Sequence, residues 1–371
     1  MNKVEYFKLL SKLASKESKK SRLNIVIMWT SILFWTGNYS NALKNVKTLK
    51  NEESAWINCW CGVLSYLQHD YLNAQTFFEN ALMLNKSSPE IKFFLAETYF
   101  SRSDIEKAVK YYRTTIKNKD LQSKSLYKIA CCLAKKGRND EAIGFLNRAL
   151  KNANSSEKVD ILNKKGLCFM AQGCLDKAET NFKKCLEYSP NNIVAHKNLA
   201  LTLSKMKDYQ NASKLYKKIL SKQPYDITSI NNMAHCAAAL KRYNDAIKYC
   251  NIGLAIDPIN SDLLINKGCC MYKIGDYKNA LECLKEAEKR VKDDIVLLNN
   301  KALCYIAINE YDKALNIFDF ILQKKRLDDI MINKGFCLFK KGLYKEALDI
   351  LDNVKQIGNN NETMLLYKGL S

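Results

Sequence analysis

Apolar and polar positions recur along this chain with a period close to 34 residues. An alanine marks each period, at Ala42, Ala74, Ala108, Ala142, Ala178, Ala212, Ala246, Ala280, Ala314 and Ala347. Nine of these alanines follow another small residue by twelve positions, across polar turns such as Gly275-Asp276-Tyr277. A bulky residue often follows the alanine by four positions, at Phe78, Tyr112, Phe182, Tyr216 and Phe318. Residues four apart share one face of a helix, so each period predicts two short helices joined by a turn.

This pattern resembles the tetratricopeptide repeat (TPR), a helix-turn-helix unit of about 34 residues. The resemblance covers about residues 23–371 and implies an all-α fold, a right-handed α-solenoid of about ten TPR units plus a terminal helix. We predict a basic amphipathic N-terminal cap at 1–22 and a partial eleventh repeat at 362–371, which either caps the array or leads into further chain. The ten repeats are predicted at about residues 23–54, 55–88, 89–122, 123–158, 159–192, 193–226, 227–260, 261–294, 295–327 and 328–361.

Two details refine this prediction. Proline is expected to end repeats five to seven, at Pro190, Pro224 and Pro258, because it cannot continue a helix. The step from Ala142 to Ala178 is two residues longer than 34, and we expect the extra length in a loop at 152–156.

Composition agrees with a helical chain, since it holds only 4 prolines and 13 glycines while 47% of the residues are hydrophobic. The net charge of +21 favours an acidic peptide, a nucleic acid or an anionic surface as partner. The alternative is that many lysines only solvate outer helix faces. The apolar run at 23–35 is too short for a membrane helix, and we interpret it as the first helix of repeat one although a signal peptide has this length.

Fourteen cysteines and three histidines give no recognisable catalytic or metal site. Six cysteines share one repeat position, at Cys132, Cys168, Cys236, Cys270, Cys304 and Cys337. Equivalent residues on helices 8–10 Å apart are poorly placed for disulfides, so we predict buried free thiols and a reducing, intracellular and most simply cytoplasmic compartment. The cysteines lack CxxC spacing, and no Gly-rich phosphate loop is present. The prediction is therefore no metal, no cofactor and no enzyme.

We number each repeat so that the small residue of the first helix is position 8 and the recurring alanine is position 20. Helix geometry then assigns each position to a face. Positions 4, 8 and 11 share the packing side of the first helix, while positions 2, 6, 9 and 13 lie opposite. The TPR resemblance implies that this opposite face lines a concave ligand groove. Position 6 carries an amide in five repeats, at Asn198, Asn232, Asn266, Asn300 and Asn333, and position 13 carries Lys205, Lys273 and Lys340.

An asparagine can both donate and accept hydrogen bonds, so one amide in each repeat could pair with successive peptide units of an extended chain. The row resembles the asparagine ladder of O-linked N-acetylglucosamine transferases, which implies contact with a peptide backbone. The alternative is that repeat duplication copied asparagines that bind no ligand.

Two further zones occupy the same face of earlier repeats. Lys124, Lys128, Lys135 and Lys164 form a predicted basic zone for carboxylates or phosphates, or merely a solvated face. Trp35, Trp56, Trp60 and Phe94 form a predicted aromatic patch, which either binds an apolar anchor or is covered by the N-terminal helix. Co-chaperone TPRs clamp a terminal carboxylate, and their residue pattern is absent because Phe94 stands where that clamp needs asparagine.

These features predict a non-catalytic TPR scaffold or adaptor that binds an extended, acidic peptide or partner protein in its groove. A nucleic-acid-binding helical repeat is the first alternative, because of the net charge. A structural subunit of a large multiprotein assembly is the second.

Overall fold

The computed structural model of the chain describes Phe7, Leu10 and residues 30–48 and 54–354, and these contain helices and turns but no β-strand. Residues 30–36 are helical, and nineteen further helices follow. They are α1 (Tyr39–Lys47), α2 (Ala55–Leu67), α3 (Tyr71–Leu84), α4 (Pro89–Ser101), α5 (Ile105–Thr115), α6 (Gln122–Lys135), α7 (Asn139–Lys151), α8 (Ser155–Ala171), α9 (Leu175–Tyr188), α10 (Ile193–Lys205), α11 (Tyr209–Leu220), α12 (Ile227–Ala239), α13 (Tyr243–Ile256), α14 (Ser261–Lys273), α15 (Tyr277–Glu288), α16 (Ile295–Ala307), α17 (Tyr311–Lys324), α18 (Asp328–Lys341) and α19 (Tyr344–Asp352).

Even-numbered helices are the first helices of repeats, and odd-numbered helices are the second. The chain divides into two compact units, Met1–Ala195 and His196–Ser371. In the first unit consecutive helices pack on each other from the pair α1 and α2 to the pair α8 and α9. In the second unit they do so from the pair α11 and α12 to the pair α18 and α19. First helices of adjacent repeats also touch, as α2 with α4 and α6 with α8 in the first unit, and as α12 with α14, α14 with α16 and α16 with α18 in the second. Each unit therefore has a shared face built from first helices.

The recurring alanines lie where helices approach most closely. All ten are at most 1% exposed. The bulky residues four positions later are buried with them, and Phe78, Phe182 and Phe318 are each at most 1% exposed. Because a methyl side chain permits close backbone approach, the large residue one turn later can fill the space between the helices of a pair. The sequence period thus records the packing of one helix on the next.

The turn inside every described repeat requires one residue in the left-handed region. It is always at position 15, where Gly37, Gly137, Gly173, Gly275 and Gly342 have φ between 76° and 87°. Non-glycine residues adopt the same conformation in the other five repeats, at His69, Ser103, Lys207, Lys241 and Asn309. Glycine reaches this region without steric cost, whereas the other five side chains depend on the flanking helices to hold them there.

Side-chain caps set many helix starts. Asp70, Asp104, Asp208 and Asp276 each accept a hydrogen bond from the backbone N–H three residues later, and so begin second helices. Asn154 and Glu157 form a reciprocal capping box at the start of α8. Because of this cap, Ser155 and Ser156 belong to α8, which is 17 residues long. The extra length expected in a loop at 152–156 therefore lies partly in a helix.

The same substitution should have opposite effects at two glycines of the first unit. Gly166 faces Phe182, and an added Cβ would lie 2.5 Å from its ring, whereas a Cβ at Gly144 would meet no atom within 4 Å. Gly166→Ala should therefore destabilise the unit by about 1–3 kcal/mol through overpacking. Gly144→Ala should stabilise it by about 0.5–1 kcal/mol, because alanine favours a helix interior. Urea unfolding followed by tryptophan fluorescence measures the free energy of unfolding of each variant. A change in the same direction for both substitutions would contradict this prediction.

The predicted terminal elements lie mostly outside the described residues. Of the cap at 1–22, Phe7 and Leu10 are described, and Leu10 is fully buried in the core of the first unit. The predicted helix at 362–371 is not described. Within the described part of the chain, no helix combines the length and apolar character needed to cross a membrane.

Candidate binding surfaces on the first helices

The predicted row of asparagines lies on successive first helices of the second unit. We use the name amide row for Asn198, Asn232, Asn266, Asn300 and Asn333, which lie on α10, α12, α14, α16 and α18 and are all partly buried. Lys205, Lys273 and Lys340 lie at or near the ends of α10, α14 and α18, and are exposed. None of these three lysines forms an ion pair with another described residue. The row thus combines partly buried amides with available positive charge.

Two members of the amide row bond to the neighbouring repeat. The Asn266 side-chain nitrogen donates to Asn231 Oδ1 at 2.8 Å, and the Asn333 side-chain nitrogen donates to Asn299 Oδ1 at 2.9 Å. In both cases position 6 of one repeat contacts position 5 of the repeat before it. These amide pairs connect α12 to α14 and α16 to α18.

The two partner asparagines, Asn231 and Asn299, are not among the predicted site residues, although the sequence carries a signal for them. Position 5 alternates along the second unit, as Lys197, Asn231, Ile265, Asn299 and Ile332. An amide pair forms where position 5 is asparagine, and isoleucine offers no acceptor to Asn300. Reading positions 5 and 6 together would have found the pairs.

The remaining members of the row have other surroundings. The Asn300 side-chain nitrogen donates to the Val296 carbonyl on its own helix at 2.7 Å. The Asn232 amide lies beside the hydroxyl of Tyr216. Burial raises the pKa of Tyr216, and the interaction with this amide partly lowers it again. Two lysines at position 7 contact the preceding second helix, Lys301 through Glu288 at 2.6 Å and Lys334 through Asp319 at 2.5 Å. These ion pairs fasten adjacent repeats.

Lysines of the predicted basic zone gather at an open cleft in the first unit. This basic cleft has a volume of about 500 Å³, and Lys128, Lys135 and Lys164 line it beside Phe100 and Tyr127. Lys128 Nζ and Lys135 Nζ lie 5.9 and 5.6 Å from the centre of the Phe100 ring. The described residues that line the cleft include no Asp or Glu, and Lys124 lies outside it. The cleft therefore combines an aromatic surface, the Phe100 ring, with lysine ammonium groups that lie over it.

One of these lysines, Lys128, is neutralised by a buried carboxylate. Glu97 is 3% exposed, and its carboxylate accepts hydrogen bonds from Lys128 Nζ at 2.7 Å and from the buried Tyr112 hydroxyl. Burial and the Glu97 charge both raise the pKa of Tyr112, and the Glu97 charge also raises that of Lys128 against its burial. Lys135 donates to Ser103 Oγ at 3.1 Å. Lys135 and Lys164 are therefore the cationic groups of the cleft without a carboxylate partner among the described residues.

Three of the four residues of the predicted aromatic patch lie in the core. Trp56 and Trp60 are each 2% exposed, and Phe94 is 1% exposed and stacks on Phe78. Phe7 of the N-terminal segment packs 5.5 Å from the Trp35 ring and 6.3 Å from that of Trp60. Trp35 alone of the four keeps a large exposed surface, 46% of its maximum. Phe7 therefore covers part of this aromatic cluster.

Ten of the fourteen cysteines are buried packing residues. All fourteen cysteines are free, and the six that share one repeat position are buried. Burial raises the pKa of Cys132, Cys250 and Cys304 to about 12, so these groups stay protonated and unreactive at neutral pH. No group of His, Cys, Asp and Glu within the described residues could hold a metal ion.

Comparison with known proteins gives matches to helical-repeat families. Residues 67–149 match the family model described as anaphase-promoting complex, cyclosome, subunit 3, and residues 169–294 match the N-terminal TPR repeats region of Psidin. A sequence search of curated proteins found no significant match.

Solved TPR structures share the fold at low sequence identity. A TPR protein from Parabacteroides merdae is 16% identical, with a TM-score of 0.57, and the alignment covers 67% of this chain and 98% of that one. The C-terminal part of a TPR repeat-containing protein from Cytophaga hutchinsonii is 17% identical with a TM-score of 0.50, covering 64% and 98% of the two chains. PilF of Pseudomonas aeruginosa is 17% identical with a TM-score of 0.50, covering 58% and 99%.

The family matches lie on the same helix pairs that repeat along both units. Proteins built from such repeats generally serve as non-catalytic scaffolds for protein interaction. Its 34-residue period, its consecutive helix pairs and these matches together identify the chain as a protein built of tetratricopeptide repeats.

Proposed function

We propose that this protein is a non-catalytic scaffold that binds an extended peptide or partner segment along its first helices. The observation that carries this proposal is the amide row, one partly buried asparagine on each first helix from α10 to α18 within a single unit. An extended peptide presents its own N–H and C=O groups at regular intervals, so a row of amides can bind it whatever its side chains. The interaction would need no cofactor and no membrane contact.

The inter-repeat pairs support this proposal by holding the amides in place. A carboxamide oxygen has two lone pairs and its nitrogen has two hydrogens, so Asn266 and Asn333 keep hydrogen-bonding capacity after each has donated once. An immobilised amide loses less conformational entropy on binding than a freely rotating one. Exposed Lys205, Lys273 and Lys340 add a preference for acidic side chains in the same ligand.

The basic cleft is proposed as a separate subsite of the first unit for an acidic side chain. Lys135 and Lys164 supply the charge, and Phe100 supplies an apolar surface for the neighbouring atoms of the ligand. Glu97 holds Lys128 in place and reduces the net charge of the cleft. We also propose a reducing intracellular location, because the six buried in-phase thiols serve packing rather than disulfide formation.

Removing three amides should weaken peptide binding without unfolding the second unit. Peptides selected on the wild-type chain from a random-sequence array serve as the probes, and the variant carries Asn232→Ala, Asn266→Ala and Asn300→Ala. Loss of several hydrogen bonds should reduce affinity at least about tenfold, and by a similar factor for peptides of unrelated sequence, because the contacts are to backbone. Fluorescence anisotropy measures the affinity, and circular dichroism checks the fold.

A matched control separates ligand contact from scaffold structure. Asn231→Ala and Asn299→Ala remove the partners of the two inter-repeat bonds while leaving the row in place. This control should reduce affinity less than the triple variant does. Unchanged peptide affinity in the triple variant would contradict the proposal.

The same measurements decide between this proposal and two other functions. A nucleic-acid ligand, which the +21 charge favours, would show a steep linear dependence of log affinity on log salt with an unstructured oligonucleotide. A structural subunit is favoured by the match of residues 67–149 to a subunit of the anaphase-promoting complex. Such a subunit would bind no selected peptide and would elute with a large assembly from its native source.

A further inference from the structure

Another cleft, in the second unit, lies mainly between the second helices α15 and α17, and no member of the amide row lines it. It has a volume of about 620 Å³ and is bounded by α15, α17, the segment that joins α15 to α16 and Leu298 near the start of α16. Its apolar surface comes from Leu298, Ile317 and Phe320, and its rim carries Lys285, Lys289 and Lys292. We call it the outer cleft.

Phe320 is unusual for its place in the repeat. It is 40% exposed and occupies position 26 of repeat nine. The equivalent residue is polar in eight of the other nine repeats, and these residues are Thr48, Asn80, Thr114, Arg148, Lys184, Lys218, Glu286 and Asn353, with Ile252 in repeat seven. Solvent therefore normally meets a polar side chain here, and a half-exposed ring beside an apolar hollow departs from that rule.

The acidic residues at the rim are already paired. Glu288 binds Lys301 at 2.6 Å, and Asp293 binds Lys324 at 2.9 Å. Lys324 also lies over the Phe320 ring, 4.3 Å from its centre. With both carboxylates neutralised, the remaining charges at the rim are those of Lys285, Lys289 and Lys292. Of these three lysines, only Lys289 has an acidic partner among the described residues, the exposed Glu286 at 2.6 Å. An apolar hollow with a cationic rim complements an apolar side chain flanked by carboxylates.

We propose that the outer cleft binds a partner protein through one aromatic or large aliphatic side chain that acidic residues flank. The apolar side chain would pack on Phe320 and Ile317, and its acidic neighbours would face Lys285 and Lys292. Binding would use second helices, so that the protein could hold this partner while the amide row holds another ligand. The proposal is independent of the amide row and does not need it to bind peptide.

The test uses the full chain and a fluorescein-labelled peptide with a central phenylalanine flanked on each side by two aspartates. At about 150 mM salt, where long-range attraction is screened, anisotropy should show saturable binding. Phe320→Ala should weaken it about tenfold or more, because the burial of one aromatic side chain is lost. Lys292→Glu should weaken it about fivefold or more by placing a carboxylate near those of the peptide.

Matched controls exclude general attraction to a basic protein. Lys248→Glu makes the same charge change on α13 at a lysine that is 76% exposed and outside the cleft, and it should change affinity less than twofold. Replacing the central phenylalanine of the peptide by glycine should abolish binding. The methyl resonances of Ile317 and Leu298 should shift on titration, while that of Ile230 should not.

Four results would overturn the proposal. They are no binding by the wild-type chain, equal affinity for the glycine peptide, no effect of Phe320→Ala, or equal effects of Lys292→Glu and Lys248→Glu. The triple amide-row variant distinguishes this site from the proposed function, because it should bind this peptide as the wild type does.

Discussion

Raising the pH above 9 should steeply destabilise the second unit, by several kcal/mol for each pH unit. Five fully buried thiols titrate there with raised pKa values, namely Cys236, Cys250, Cys270, Cys304 and Cys337. Burial raises the pKa of Cys250 and Cys304 from 9.0 to about 12 and that of Cys270 and Cys337 to about 11. Above pH 9 the unfolded chain releases these protons and the folded chain retains them, so stability falls as pH rises.

The magnitude follows from the number of thiols. Each thiol contributes about 1.4 kcal/mol for each pH unit between its unfolded and folded pKa, so the four whose pKa is raised to about 11 or 12 contribute up to about 5.6 kcal/mol for each pH unit between about 9 and 11. Cys236 adds to this dependence in the same direction. A unit with a typical stability of about 5–15 kcal/mol should therefore unfold about one to three pH units above 9. Hydrogen exchange of peptides from the second unit, measured in reductant, follows this transition.

A slope measurement isolates the thiols from other alkaline effects. Cys304→Ala should reduce the pH dependence by about 1.4 kcal/mol for each pH unit. Ile321→Val, in the same core, should lower stability by about 0.5–1.5 kcal/mol at every pH and leave the slope unchanged. A slope that does not respond to Cys304→Ala would contradict the assignment to buried thiols.

Replacing Glu97 by alanine should destabilise the first unit by about 3–5 kcal/mol. The carboxylate is 3% exposed and accepts hydrogen bonds from Lys128 and Tyr112. Without it, the Lys128 ammonium group and the Tyr112 hydroxyl lose their acceptor in a largely buried location. All four tryptophans lie within the first 60 residues, so tryptophan fluorescence during urea unfolding reports on this unit.

Two variants provide the comparison. Glu141 forms a half-exposed ion pair with Arg138, and Glu141→Ala should cost less than about 1 kcal/mol. The double change Glu97→Leu and Lys128→Leu should be much less destabilising than the sum of the single changes, because it removes both charges together. A double variant as unstable as that sum would show that the pair does not act as a unit.

The 34-residue period was enough to predict the helix pairs and their main packing residues. Small residues at positions 8 and 20 and bulky residues at position 24 repeat because every helix pair presents the same problem of close approach. The period likewise predicted that the in-phase cysteines would be buried, and all six are.

Contacts between repeats could not be predicted from one repeat considered alone. The bonds from Asn266 to Asn231 and from Asn333 to Asn299 join position 6 to position 5 of the previous repeat, and these positions are 34 or 35 residues apart in the chain. In the same way, Glu97 reaches Lys128 across 31 residues and neutralises a lysine that the sequence suggested for ligand binding.

By itself the sequence determined the repeat, the helix pairs and the face on which each residue stands, because these depend on local periodicity. Only the tertiary structure decided which side chains on that face remain available. Phe7 packs against Trp60, and Phe94 packs against Phe78, so that these rings are buried while Trp35 stays half exposed, since long-range packing removes apolar surface from water. Phe320 remained half exposed between two repeats because the helices around it leave a hollow that no described side chain fills.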